Sequence, residues 1–342
     1  MTDTATKTAT KATSKATSKA VARKARAKRL TMVTERCPEG FEYTPSIEGM
    51  PPRAIAPSMI SRGVTAFVLI LVLIYFIFPV YWVIISATKT NAELANTFGL
   101  WFTIHGEDTE SQSLLEAIGV NYDKLMSWTR GNFWRWVANS LIYSTVAATI
   151  GTLISVMAGY SLAKFTFPGK NLSTGIIMAG LLMPAALLTV PMYIVFLHLG
   201  ISNTMASIIV PCCVSPFGVF LGRVYAQTSV PTELIEAARI DGASEARIFF
   251  TIVLRILAPA MVTIFLFIFV ACWNNFLLPL MMISTDTLKP VTLGLYGMMS
   301  YFNPEKGAVM MGALFGVIPL IILFLGLQKY WQSGLAAGSV KG

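Results

Sequence analysis

Six stretches of this chain are long, apolar and free of Asp, Glu, Lys and Arg in their interiors, at roughly residues 64–87, 138–163, 173–197, 201–223, 257–282 and 307–330. A bilayer core takes about 20 helical residues to cross. With no water in that core, backbone amides must be satisfied within the segment, which an α-helix does and an open strand does not. The spacing therefore predicts an all-α integral membrane protein with six transmembrane helices. Composition agrees, since 55% of the residues are hydrophobic and only 13% charged, well away from a soluble domain.

The cations between the stretches orient them. With the N-terminus inside, the inner segments hold 20 Lys and Arg and the outer segments 6. This bias predicts that both termini and the segment around residues 231–259 are cytoplasmic. It also explains the net charge of +9 as membrane topology, so lipid and not nucleic acid is the expected partner of the charge.

Boundaries follow. Residues 1–60 read as a basic, disordered tail and a Pro-rich linker, with cations at Lys7, Lys11, Lys15, Lys19 and Arg23. Like charges at that spacing repel on a helix in water and are relieved on an anionic lipid surface. No apolar segment with a small-residue cleavage site follows directly, so the tail is not expected to be a secretory signal. The first helix at 64–87 leads into an extracytoplasmic segment at 88–137, then a five-helix core at 138–330 and a Gly-rich cytoplasmic tail at 331–342. The outer segment carries Trp101, Trp128, Trp134 and Trp136. Trp134 and Trp136 fall where an interfacial aromatic belt is expected, and a contact with an external binding protein is the second reading.

The one polar, small-residue segment inside the apolar region is PTELIEAARIDGASEARIFFTIVLRILAP, residues 231–259. Pro231 suits a first helical position, Glu233 favours the positive end of the helix dipole, and Asp241-Gly242 supplies a left-handed stop. Ser244 can cap a second helix. The pattern predicts helix, tight turn, helix, with Ala237 and Ala238 small enough to let a partner's backbone approach. An interfacial connector that merely joins two spans would share this amphipathic outline.

Glu236, Ala237, Ala238, Asp241, Gly242 and Ala243, followed by Phe249, Ile252, Leu254 and Pro259, resemble the cytoplasmic "EAA" loop of permeases in binding-protein-dependent ATP-binding cassette importers. Arg255 stands where sugar-importing members usually have Pro, which places the kink into the next span in question. Further resemblance lies in Phe78-Pro79, Asn139-Ser140-Leu141, the run Tyr160 to Phe165, Trp273-Asn274-Asn275-Phe276 and the tail Gly334 to Gly342. These are similar to the smaller permease subunit of the maltose-type carbohydrate family, with Asn275 replacing a Glu. The resemblance implies the type-1 importer permease fold in a bacterial or archaeal cell membrane. It implies a coupling loop at about 228–256 that seats in an ATPase. The implied partners are a second, related permease, an ATP-binding cassette ATPase dimer that binds ATP and Mg, and an extracytoplasmic solute-binding protein.

No G-x-x-x-x-G-K-[ST] loop occurs in the sequence, so ATP hydrolysis is expected in a separate chain and no cofactor in this one. The four cysteines, Cys37, Cys212, Cys213 and Cys272, have no metal-ligand spacing and read as small buried hydrophobes. Uncharged span interiors weigh against an ion-coupled secondary carrier, which usually places Asp, Glu or His at depth. A neutral polyhydroxyl solute needs amides, hydroxyls and aromatic faces, for which Trp273, Asn274 and Asn275 are the candidates; helix-to-helix hydrogen bonding is the equal alternative. An importer for glycerol-phosphate or another small solute is the second functional reading.

Overall fold

The computed structural model describes residues 59–96, 99–102, 113–299 and 305–339. The expected basic tail and most of its linker, together with Cys37 and His105, lie outside the described residues. The chain forms two units, Met1–Ile74 and Tyr75–Gly342. The described part of the first is the start of helix α1 (Met59–Ser86), which continues into the second.

The second unit continues with α2 (Asn91–Asn96), α3 (Leu114–Trp128), α4 (Phe133–Lys164), α5 (Lys170–Leu182), α6 (Ala185–His198), α7 (Ala206–Cys212), α8 (Pro216–Ser229) and α9 (Thr232–Ile240). Next come α10 (Glu245–Ile248), a π-helical turn (Phe249–Val253) and α11 (Leu254–Ile256). The chain then forms α12 (Ala258–Trp273), α13 (Leu277–Met282), a 3-10 turn (Asp286–Leu288), α14 (Val291–Gly297) and α15 (Lys306–Ser339). No strand occurs among the described residues.

Helix α4 is the axis of this unit and packs chiefly on α8 and α12. Lipid supplies no hydrophobic drive between helices, so close packing must do so. A methyl added at Gly159 would lie 2.5 Å from the Arg223 nitrogen and 2.6 Å from the Gly222 carbonyl carbon, so the two backbones touch there.

Four segments cross-length and apolar run without a sharp bend: Arg62–Ser86, Phe133–Lys164, Ala206–Ser229 and Lys306–Tyr330. Two more are bent pairs, α5 with α6 at 104° and Glu245–Ile256 with α12 at 81°. Counting each bent pair as one span gives the expected six. The expected spans at 173–197, 201–223 and 257–282 are not continuous helices: they break between α5 and α6, between α7 and α8, and between α12 and α13, while the 81° bend lies at Leu257, where the last of them begins. Pro184 lacks an N–H and pushes Met183 out of helical geometry, so α5 stops there. Past Trp273, the Asn274 side chain donates to the Val270 carbonyl at 3.0 Å, and a local bond of this kind competes with helix continuation. At the far end, the backbone of the expected Gly-rich tail continues α15 as far as Ser339.

The outer segment is tied down. Helix α3 begins with a capping box in which the Ser113 hydroxyl accepts from the Glu116 amide while the Glu116 carboxylate accepts from the Ser113 amide at 2.8 Å. Those bonds hold the Glu116 carboxyl below its ordinary range. Asn121 on α3 donates to the carbonyls of Ala87 and Lys89 at 2.8 and 3.0 Å, fixing the chain where α1 ends. Trp134 is exposed as a belt residue would be, but Trp136 is buried and donates to the Asp286 carbonyl at 2.7 Å. The aromatic-belt expectation therefore fails for Trp136, whose indole pins the outer turn between α13 and α14 to the start of α4.

Candidate functional site

Two places carry candidate function: the inner loop between α8 and α12, and a cavity where three spans break.

The inner loop follows from its local sequence. Helix α9 starts at Thr232 with Pro231 just before it, one residue later than the sequence pattern suggests. At its end the Gly242 amide donates to Arg239 and the Ala243 amide donates to Ala238, both at 3.0 Å. These two bonds make a Schellman turn, which needs a left-handed residue, and Gly242 has φ of 78°. The Ser244 hydroxyl accepts from the Arg247 amide at 3.4 Å and opens α10. Arg239 Nε donates to Glu245 Oε1 at 2.5 Å across the turn.

The loop is fastened to the inner end of α4. Ile235, Ala238, Ile248 and Phe249 share one buried cluster with Tyr160 and Val156. Tyr160 meets Phe249 at 5.7 Å between ring centroids, the Arg239 guanidinium lies 5.8 Å from the Phe165 ring, and Lys164 Nζ donates to Thr232 Oγ1 at 3.3 Å. Helix α9 and the inner end of α4 thus share one packed cluster. Glu236, Ala237, Asp241 and Gly242 face outward, and Ile240 is 86% exposed. Ala238 does not: it is buried in the cluster, so its small size serves contact within this chain, contrary to its expected place on a partner-facing surface. Arg255, at the position where Pro was expected, does not straighten the chain. The π turn at Phe249–Val253 and the 81° bend before α12 are both present, with Pro259 in the first turn of α12.

The second place is a cavity of about 560 Å³. It is lined near all three helix breaks: Met183 between α5 and α6, Val214 and Ser215 between α7 and α8, and Asn275 between α12 and α13. A helix break inside a span frees backbone polar groups, and such backbone is tolerated where it is buried in protein or lines a cavity. Thr189 and Cys272 add polar atoms to a wall that is otherwise apolar.

Of the three expected solute residues, only Asn275 lines this cavity. Its Oδ1 accepts from the Leu278 amide at 3.3 Å. Trp273 is a core residue, 3% exposed and stacked on Phe269 at 5.7 Å, so its ring offers no face to a solute. Asn274 is exposed and caps its own helix. The cysteines behave as expected only in part: Cys213 and Cys272 are buried, but Cys212 is half-buried on the cavity wall. What sequence reading missed is the set of breaks, for which the Pro residues at 184 and 216 were the available signal.

Comparison with known proteins agrees with this architecture. Residues 151–336, more than half of the chain, match the family model described as "Binding-protein-dependent transport system inner membrane component". The chain is 34% identical over 212 residues to the arabinooligosaccharides transport system permease protein AraQ of Halalkalibacterium halodurans, covering 62% of this chain and 76% of that one. It is 30% identical over 269 residues to the lactose transport system permease protein LacG of Rhizobium radiobacter, covering 78% and 91%. In fold it is similar to a chain in the crystal structure of a bacterial ABC transporter involved in the import of the acidic polysaccharide alginate. That match has a TM-score of 0.67 at 18% identity and covers 84% of this chain and all of that one. Members of the family are multi-pass permease subunits, not enzymes, and work with another permease, an ATPase chain and a solute-binding protein. A chain with this match, these spans and this inner loop belongs to the binding-protein-dependent ABC importer permeases.

Proposed function

We propose that this permease is one half of the translocation pathway of an ATP-driven oligosaccharide importer in a bacterial or archaeal cell membrane. It pairs with a related, non-identical permease and is driven by a dimeric ATPase that binds ATP and Mg. The outward face of the inner loop, Glu236, Ala237, Asp241 and Gly242, docks on the ATPase, while Ala238 and the half-buried Ala243 pack that face against the cluster that includes α4. The supporting observation is the fastening of α9 to the inner end of α4 through Tyr160, Phe249 and Ile235. A push on α9 then reaches the longest uninterrupted span of the core. The cavity around Asn275, Thr189 and Ser215 lies on the solute path. Its uncharged wall suits a neutral polyhydroxyl cargo, and the named relatives include permeases for arabinooligosaccharides and lactose. ATP drives the cycle only through differential affinity for the inward-facing and outward-facing states.

The test is solute-stimulated ATP hydrolysis in liposomes holding this chain with its permease partner, ATPase and binding protein. Oligosaccharides are screened against glycerol-phosphate and amino acids. Stimulation by an oligosaccharide supports the reading; flux through this chain alone, with no ATPase present, refutes it.

A further inference from the structure

Between Asp123 and Glu233 the chain has no acidic residue, yet it places Lys164, Lys170 and Arg223 on the side that the cation bias makes cytoplasmic. Arg223 closes the apolar stretch 201–223 and lies on α8 before that helix ends at Ser229. Its backbone is held against Gly159 of α4, and its half-buried side chain shares a cleft with Thr174, Ile177 and Met178 of α5. There Nη1 donates to the Thr174 hydroxyl at 3.4 Å, while Nε is buried with no acceptor among the protein atoms. The Thr174 hydroxyl donates in turn to the Lys170 carbonyl at 2.9 Å, one turn back on α5, so Lys170 shares that face. Lys170 Nζ donates to the Phe165 carbonyl at 2.8 Å, which leaves its charge uncompensated. Among the described residues no carboxylate pairs with Arg223 or Lys170.

A guanidinium at the rim of a span, with one long hydroxyl contact and no counter-charge, is costly in the low dielectric of a bilayer. Its planar fork matches two oxygens of a phosphate. The cleft encloses room of about 10 Å³, which is what one water takes, so an anion sits at its mouth and no solute fits inside. On the same two helices Leu172, Ile176 and Phe220 are exposed, so apolar surface flanks the cations. We propose that Arg223 and Lys170 hold the phosphate of an anionic phospholipid of the cytoplasmic leaflet, whose acyl chains lie along Leu172, Ile176 and Phe220. With two cations and no carboxylate, the site favours a headgroup of net negative charge over a zwitterionic one. The lipid bridges α5 to α8, the helix that runs through Val230 and Pro231 into α9. This assignment holds whatever solute is carried.

The assembled importer, delipidated in a nonionic detergent, is titrated with phosphatidylglycerol or with phosphatidylcholine, and bound lipid is counted by native mass spectrometry. The expected result is one phosphatidylglycerol per copy of this chain that Arg223→Gln binds about 10-fold or more weakly. Lys329→Gln, which removes a cation from the inner end of α15, retains it. If Arg223→Gln fails to assemble, as judged by size-exclusion elution, Lys170→Gln carries the test in its place with the same outcomes. The proposal is overturned if the variant binds phosphatidylglycerol as the wild type does, as it would were a carboxylate of the second permease to fill the cleft. It is overturned equally if Lys329→Gln loses the same lipid, if phosphatidylcholine is retained as well as phosphatidylglycerol, or if inorganic phosphate displaces the lipid and so marks a site for free anions.

Discussion

Arg239 Nε reaches Glu245 Oε1 at 2.5 Å, and this pair spans the Gly242 turn to link the end of α9 to the start of α10. Both side chains remain about half exposed, so their worth to folding is small and their worth to rigidity is what matters. Reversing one charge, by Arg239→Glu or Glu245→Arg, should leave the amount of inserted protein unchanged while lowering solute-stimulated ATPase activity. The double reversal should restore it. A double reversal no better than either single one would show that the pair does not hold the loop.

Gly242 presents a different constraint. No atom lies within 4 Å of where its Cβ would be, so within this chain an added side chain meets only the penalty of φ at 78°, about 1–2 kcal/mol. Gly242→Ala should therefore insert and assemble with a modest loss of thermal stability. Gly242→Leu should insert as well but abolish stimulated ATPase activity, because its side chain projects from the face proposed to dock on the ATPase. Normal uptake by the leucine variant would remove the loop from the coupling pathway.

At Gly159 the reverse holds, since the obstacle is the backbone of Gly222 and Arg223 and neither can step aside. Gly159→Ala should force α4 and α8 apart, at a cost of about 1–3 kcal/mol. Gly175→Ala, with open space around it, is the matched control. Thermal unfolding of the purified complex distinguishes them, and equal melting temperatures would contradict the close approach.

Glu116 makes the outer segment sensitive to acid. Its folded carboxyl is held below the ordinary value of 4.5 by the Ser113 amide first and the Ser113 hydroxyl second. A depressed folded value means that the stabilisation is complete above the unfolded value. It is lost as pH falls from about 4.5 through the lower folded one. Amide exchange at the start of α3 should accelerate over that window in the wild type. Glu116→Gln, which keeps an acceptor but cannot titrate, should show no such step; a step of equal size in the glutamine variant would assign it to another group.

These expectations divide along what local chemistry can specify. The turn at Asp241-Gly242 and the Ser244 cap were legible in the sequence, because both depend on residues within a few positions of one another. The spans were legible as apolar length. Their interruptions were not, since residues 173–197 stay apolar straight through the break at Met183 and Pro184. Proline inside a span can equally well be absorbed, as Pro191 is within α6. Burial was the other gap. Ala237 and Ala238 are identical in composition, and only the packing of Ile235 and Phe249 decides that the second turns inward. Likewise Trp134 and Trp136 are near neighbours whose fates part because the Asp286 carbonyl is placed to accept from one of them.

Asn274 and Asn275 give the sharpest comparison for the solute path, because they are adjacent and chemically the same. Asn274 bonds only to the Val270 carbonyl of its own helix, whereas Asn275 lines the cavity. Losing one solute hydrogen bond costs about 0.5–1.5 kcal/mol, a factor of about 2–12 in affinity. Asn275→Ala should therefore raise the solute concentration for half-maximal ATPase stimulation by about that factor. Asn274→Ala should leave it unchanged. Asn275→Ala also removes the acceptor for the Leu278 amide, so a drop in thermal stability with an unaltered half-maximal concentration would mean that Asn275 only caps α13. An equal shift in both variants would place the solute outside this cavity.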